Sequence, residues 1–268
     1  MDLFLIFILI LCGALTNLIS ALFGIGGGVL IVPILHTLFP NMPIQMVSAT
    51  ALTIVMGSAL INLCYFYKLK IYINKKKLLL WSLCMIVGVQ MGFYLSFNVS
   101  DNLIITVFIL ALLTLSIKTF FPFKRKGQTH RSEPINDNFR GSFFCFFGGG
   151  IAGLTGIGGG SIMSPLLSQL PSINIKNVAV YTNYMMVIGG IGNLYGYLSK
   201  TPDFFIPNSF QLGYVNFSIV FIMVLSSFAM SFLSMKIRGI LKDELANKLL
   251  GIILFLLALY MLILNWLK

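Results

Sequence analysis

Acidic side chains are almost missing from this chain: seven Asp and Glu stand among 268 residues, with two His, and only 9% of positions carry a charge. Ordinary soluble domains carry about 25% charged residues, so there is too little polar material here to cover a water-facing surface. The same shortage leaves little for hydrolytic or redox chemistry, and an enzyme is not expected. Cysteine is sparse too. Cys12, Cys64, Cys84 and Cys145 lie in apolar stretches without C-x-x-C spacing or a neighbouring His pattern. They read as small buried hydrophobes and not as a disulfide framework or a metal site. Neither a metal nor a cofactor is expected.

What is abundant is apolar: 58% of residues are hydrophobic, and the mean hydropathy is +0.96. The net charge of +11 comes from basic residues in short clusters between apolar runs, the pattern that orients membrane proteins. Nucleic-acid binding asks for a basic stripe on one folded face, so no nucleic-acid partner is expected. The expected partner is a lipid bilayer. The apolar run opening at Leu3 lacks a basic n-region, has Leu11 before Cys12 where a lipoprotein cleavage site needs a small residue, and continues past residue 20. It reads as a retained membrane segment. The fold class is therefore all-α, a polytopic membrane protein.

A helix crossing the hydrocarbon needs about 20 apolar residues. Clear candidates are 43–66, 78–97, 101–121, 175–198, 210–235 and 244–267. Two stretches, 3–39 and 141–170, are too long for one span, and a glycine cluster breaks each near its middle. Each predicts two shorter helices joined by a tight turn. Residues 122–140 are polar and read as a cytoplasmic linker between an N-terminal transmembrane repeat, 1–121, and a C-terminal one, 141–268.

The two halves are related. Leu22-Phe23-Gly24-Ile25-Gly26-Gly27-Gly28 returns as Leu154-Thr155-Gly156-Ile157-Gly158-Gly159-Gly160, an offset of 132. The same shift pairs Pro33 with Pro165, Leu35 with Leu167, Thr50 with Thr182 and Gly57 with Gly189, and eight of fourteen positions from 22 to 35 are identical. One gapless shift across motif, proline and threonine marks a duplication.

Positive charge assigns sides. Lys68, Lys70, Lys75, Lys76 and Lys77 mark one cytoplasmic loop; Lys118, Lys124, Arg125, Lys126, Arg131 and Arg140 a second; Lys236, Arg238, Lys242 and Lys248 a third. With these loops and Lys176 inside, 16 of the 18 basic residues are cytoplasmic and the termini are not. Each half then makes an odd number of crossings, a Gly-broken helical hairpin plus three transmembrane helices, and the halves are inverted. Inverted repeats with interrupted helices belong to secondary transporters, whose sites lie at the midplane. A multi-pass protein of a bacterial cell membrane is expected.

Glycine costs about 1 kcal/mol against alanine inside a helix, so Gly-Ile-Gly-Gly-Gly argues for broken helix. The helix after the break turns its positive end and free N–H groups toward the gap, an anion-binding arrangement. Close packing of small residues is the other reading. The string lacks the G-K-[ST] of a phosphate loop, and Gly148-x-Gly150-x-x-Gly153 has no βαβ unit around it.

A Gly-Ile-Gly-Gly-Gly break with downstream Pro33, repeated with Pro165 near mid-chain, resembles the TauE/SafE sulfite-exporter family over nearly the whole chain. The resemblance implies a membrane carrier of small sulfur-containing anions such as sulfite, sulfonates, sulfoacetate and thiosulfate. Tyr181-Thr182-Asn183 and Ser48-Ala49-Thr50 resemble the family's Thr/Ser cluster after each motif.

The expected substrate cradle lies between the two breaks. It takes in Gly24, Gly26, Gly27, Gly28 and Thr50 from the first half, and Gly156, Gly158, Gly159, Gly160, Ser161, Thr182 and Asn183 from the second. The threonines lead because they match under the repeat; Asn183 and Asn193 rank next because Asn is costly in lipid. Such a lining of N–H, hydroxyl and amide groups suits a weakly hydrated or partly protonated oxyanion. His36 is the only titratable group near a broken helix and reads as a packing or interfacial residue. An anion channel and a non-transporting membrane assembly protein stand as alternatives, and a homo-oligomer is left open.

Overall fold

The computed structural model describes residues 2–23, 27–68, 73–120, 137–170, 173, 175–237 and 243–266. Among them the chain forms ten helices and one small hairpin. The first half holds α1 (Leu3–Phe23), α2 (Gly28–Leu38), α3 (Ile44–Lys68), α4 (Lys75–Leu95) and α5 (Asp101–Phe120). The second holds α6 (Asp137–Thr155), α7 (Gly159–Leu167), α8 (Ile175–Leu198), the strands β1 (Gln211–Leu212) and β2 (Val215–Asn216), then α9 (Phe217–Ile237) and α10 (Asp243–Trp266). Among the described residues, five helices are long and apolar enough to cross a membrane: Leu3–Ser20, Ile44–Cys64, Lys75–Leu95, Asp101–Phe120 and Lys248–Trp266. Leu3, Phe7, Leu83, Leu110 and Phe255 stand exposed on their outer faces, as does Phe221 on α9. A surface of that kind suits lipid and not water. This is a nearly all-helical, multi-pass membrane protein.

Both long apolar stretches are broken helices, as their glycines demand. The stretch 210–235 differs from expectation: α9 begins only at Phe217, and Gln211–Asn216 form a two-stranded antiparallel turn with Gln211 opposite Asn216. The reason is local. Gly213 takes φ +54, the left-handed region that a hairpin turn needs, and Leu212 pairs with Val215 across it. Asn216 then caps α9, its Oδ1 accepting from Ile219 N at 3.1 Å. The longer connection 199–216 also shifts α9 and α10 off the constant 132-residue offset.

Exchanging the halves maps the packing onto itself. α4 packs on α6 as α9 packs on α1, α4 on α8 as α9 on α3, while α3–α8 and α5–α10 are self-matched pairs. The α4–α6 contact is made by glycine. A Cβ on Gly88 would collide with the Phe146 carbonyl, and one on Gly92 with the Gly150 carbonyl, so these helices lie backbone to backbone and run parallel. On α1–α9, polar groups provide the adhesion: Ser227 donates to Gly13 O at 3.1 Å and Ser234 to Asn17 Oδ1 at 2.7 Å. The central pair is antiparallel. Asn62 Nδ2 donates to Asn183 Oδ1 at 3.1 Å, while Met56 abuts Gly190.

Two ends can be told apart. Asn74 caps α4 and its N–H donates to the Tyr181 hydroxyl; nearby, Trp81 Nε1 donates to Asn138 O at 3.4 Å under Lys77. Lys75–Lys77 and Arg140 therefore share one end. At the other, Lys200 Nζ lies 3.7 Å from the Phe97 ring centroid, beside the hairpin.

Candidate functional site

The second break is fully described. α6 stops where Gly156, at φ +75, donates its N–H to Ala152 O at 2.8 Å; Ile157 N then turns to the Thr155 hydroxyl at 3.3 Å. A side chain at Gly156 would run into Ser48 of α3, which is fully buried with an Oγ that finds no partner. Two residues on, α7 begins at Gly159. The first residue of α2, Gly28, presses on the Gly158 backbone so closely that a Cβ there would overlap it, and Val55 of α3 packs against both glycines. The starts of the two short helices thus meet beside α3. Gly24 and Gly26 lie outside the described residues. Gly27 stands in the right-handed helical region just before α2.

A cavity of about 20 Å³ opens beside Gly159, between α3, α4, α6, α7 and α8. That is room for one water-sized group. α8 lines it with Met186, Gly190, Asn193 and Tyr197, which recur one or two turns apart on a single face. Met85 and Val89 of α4 and Leu52 and Val55 of α3 complete most of the wall. The lining holds no charged side chain. Asn193 is its one carboxamide, 2% exposed, and Asn193 Oδ1 has no hydrogen-bond partner. The Gly159 N–H at the start of α7 finds no acceptor among the described residues. Gly160 N points instead at the Met186 thioether, 3.1 Å away.

The expected cradle residues land in different places. Gly28, Gly158 and Gly159 are brought together, and Gly160 and Ser161 follow them in the first turn of α7, with Ser161 N donating to Gly158 O. Thr50 and Thr182 are not brought together. The antiparallel register of α3 on α8 puts them on opposite sides of the Gly57 and Gly189 level, about 20 Å apart at the helical rise. The Thr50 hydroxyl belongs to the hairpin, donating to Tyr214 O at 3.4 Å and accepting from Asn216 N at 3.2 Å. Thr182 bonds its own helix at Ala179 O, and Asn183 ties α8 to Asn62. His36 is buried within α2. Sequence reasoning missed the apolar wall, Met85, Met186 and Tyr197, since apolar residues in a membrane helix carry no signal of their own. The Met186–Gly190–Asn193–Tyr197 spacing was the available clue.

Broken helices meeting within a multi-pass bundle define the class. The chain belongs to the sulfite exporter TauE/SafE family, which it matches over residues 9–261. It is 53% identical over 262 residues to a probable membrane transporter protein of Haemophilus influenzae, covering 97% of each chain. A probable membrane transporter protein of Methanocaldococcus jannaschii is 27% identical, over 96% of this chain and 95% of the other. One from Bacillus subtilis is 26% identical over 67% of this chain and 73% of its own. No solved structure matches.

Proposed function

We propose that this protein is a secondary transporter of small anions across the cell membrane, with sulfur oxyanions and organosulfonates such as sulfite, sulfoacetate and thiosulfate as its substrate class. The observation that carries this reading is the meeting of two helix starts, at Gly28 and at Gly158–Gly159, beside a buried cavity without a charged side chain. Helix starts supply partial positive charge and N–H donors. They hold an anion without the full charge of a Lys or Arg, which favours release. Membership of the sulfite exporter family supports the sulfur oxyanion, and the likeness to probable membrane transporters supports transport.

The halves are inverted in this reading. A two-fold axis relating antiparallel mates such as α3 and α8 runs perpendicular to both, hence in the membrane plane, as in carriers with midplane sites. The end bearing Lys75–Lys77 and Arg140 faces the cytoplasm. Thr50 ties α3 to the hairpin at one end of the α3–α8 pair, and Asn62 ties α3 to Asn183 of α8 toward the other.

Purified protein in proteoliposomes should take up labelled sulfite or sulfoacetate saturably and show counterflow. Gly159→Leu, which fills the cavity, should abolish uptake while the protein still inserts. Non-saturating anion currents would establish a channel instead, and no flux of either kind an assembly role.

A further inference from the structure

We infer that the parts which move against each other in transport are not the two halves of the chain but two exchanged bodies, α1–α2–α3–α9 and α4–α6–α7–α8, which rock on the contact between the two helix breaks; this refines the transporter reading and rests on it. The fourth helix of each half has joined the other half. α4 packs on α6 and α8, and α9 packs on α1 and α3. Those contacts are rigid. Cβ atoms on Gly88 and Gly92 would collide with carbonyls of α6, ones on Gly149 and Gly153 with carbonyls of α4, and one on Gly13 of α1 with Met223 O of α9. Backbones interlocked this closely cannot slide past each other without clashing. α5 and α10 pack on each other and touch both bodies, α5 at α6 and α10 at α1 and α2.

Between the bodies the contact is of another kind. α3 meets α8 through side chains: Met56, unbranched and flexible, lies against Gly190, and Asn62 Nδ2 donates to Asn183 Oδ1 toward the cytoplasmic end. Bare backbone touches midway along α3, where Gly28 of α2 presses on Gly158 beside Val55. That contact is placed as a pivot, with ties on either side of it. At the outer end the hairpin crosses the seam. Thr50 of α3 bonds Tyr214 O and Asn216 N, while Tyr214 N donates to Tyr197 O of α8 at 2.9 Å and the Tyr214 ring lies edge-on to Phe93 and Phe97. Gly156 rests there on Ser48, whose hydroxyl bonds nothing, so the two part freely. The ties are unlike although the halves are duplicates. The 132-residue shift carries Asn62 to Leu194 and Asn183 to Ala51, which the antiparallel register sets opposite each other without a polar group. The hairpin belongs to the connection 199–216, whose counterpart 69–74 is much shorter. Each end therefore has its own latch, an amide pair inside and the hairpin outside.

Cross-linking distinguishes exchanged bodies from moving halves, because both pairs used here join one half of the chain to the other. In full-length protein with its native cysteines replaced, Asn17→Cys with Ser234→Cys links α1 to α9 within one body, where the parent side chains are 2.7 Å apart. Asn62→Cys with Asn183→Cys links α3 to α8 across the seam, where they are 3.1 Å apart. Labelled sulfoacetate is the probe, since sulfite itself cleaves disulfides. Oxidation should leave uptake into proteoliposomes within about twofold for the first pair and cut it about tenfold or more for the second, with reductant restoring it. Uptake lost with the first link, or kept with the second, overturns the inference. Another readout needs no transport. Tyr214→Ala should raise maleimide labelling of Ala51→Cys from outside, and Asn62→Leu that of Ala59→Cys from the cytoplasmic face, each about threefold to tenfold, the worth of one such tie. Ala59 shares the α3 face of Met56 and Asn62. Labelling that rises at both positions with either variant, or at neither, overturns the inference too. If the cysteine pairs do not fold, labelling decides alone. Wild-type protein that moves neither sulfoacetate nor sulfite overturns the transporter reading, and labelling then tells whether the bodies still part along this seam.

Discussion

A methyl group added to Gly28 would run into the Gly158 backbone and stand 2.9 Å from Val55 Cγ2, whereas one added to Gly27 would meet the Thr16 carbonyl at 3.5 Å and Ser20 Cβ at 3.8 Å. Neighbouring glycines of one motif therefore serve different ends. Gly27 has φ −46, which any residue adopts, so Gly27→Ala should be neutral or stabilising by up to about 1 kcal/mol through the unfolded chain. Gly28→Ala should cost about 1–3 kcal/mol by overpacking and lower the melting temperature in detergent by several degrees. Equal melting shifts for the pair would remove the contact between the two breaks. The doubled motif was legible in sequence, but which of its glycines touch was not, since that depends on the partner's backbone. The threonines teach the reverse lesson. Thr50 and Thr182 match under the repeat, yet equivalent positions need not be neighbours, and the antiparallel register of α3 on α8 sends these two to opposite ends.

Among the elements, the hairpin β1–β2 is the one that the apolar reading of 210–235 passed over. A hydroxyl from the other half of the molecule, that of Thr50, bonds it at the Tyr214 carbonyl and the Asn216 N–H. Thr50 accepts from Asn216 N, and Asn216 in turn caps α9 and donates to Ser209 Oγ at 2.8 Å. Around it Tyr214 stacks edge-on against Phe93 and Phe97, with ring centroids 5.9 and 5.1 Å apart. Thr50→Val keeps the shape but strands the buried Asn216 N–H, a cost of about 1–3 kcal/mol. Amide exchange in 209–217 should speed up by an order of magnitude or more while exchange in α4 and α6 stays slow. Uniform acceleration would mean that Thr50 supports the whole bundle and not the hairpin. The α4–α6 pair, by contrast, was written in the sequence as Gly88, Gly92, Gly149 and Gly153 at helical spacing. Its partner was not, because a stripe of small residues shows that a backbone approaches without saying whose.

At the scale of the whole molecule, the packing pairs exchange when the halves are exchanged, and among the described residues Lys75–Lys77 and Arg140 share one end. After replacement of the four native cysteines, single cysteines at Lys126 or Arg140 should label from one face of sealed vesicles and one at Lys200 from the other; labelling of all three from the same face would break the topology. Composition alone determined that the solvent is lipid: with 9% charged residues, no arrangement of this chain can cover itself for water. The duplication, the helix breaks and the family resemblance were likewise local matters of residue order, readable because glycine's backbone cost does not depend on distant neighbours. Tertiary structure decided the rest. Bringing Gly159 of α7, Met85 of α4 and Asn193 of α8 around one cavity is a matter of three-dimensional register. An apolar helix pattern sets no register in a medium as apolar as the side chains themselves, so only the close fit of glycine backbones and a few polar ties fixes which faces meet.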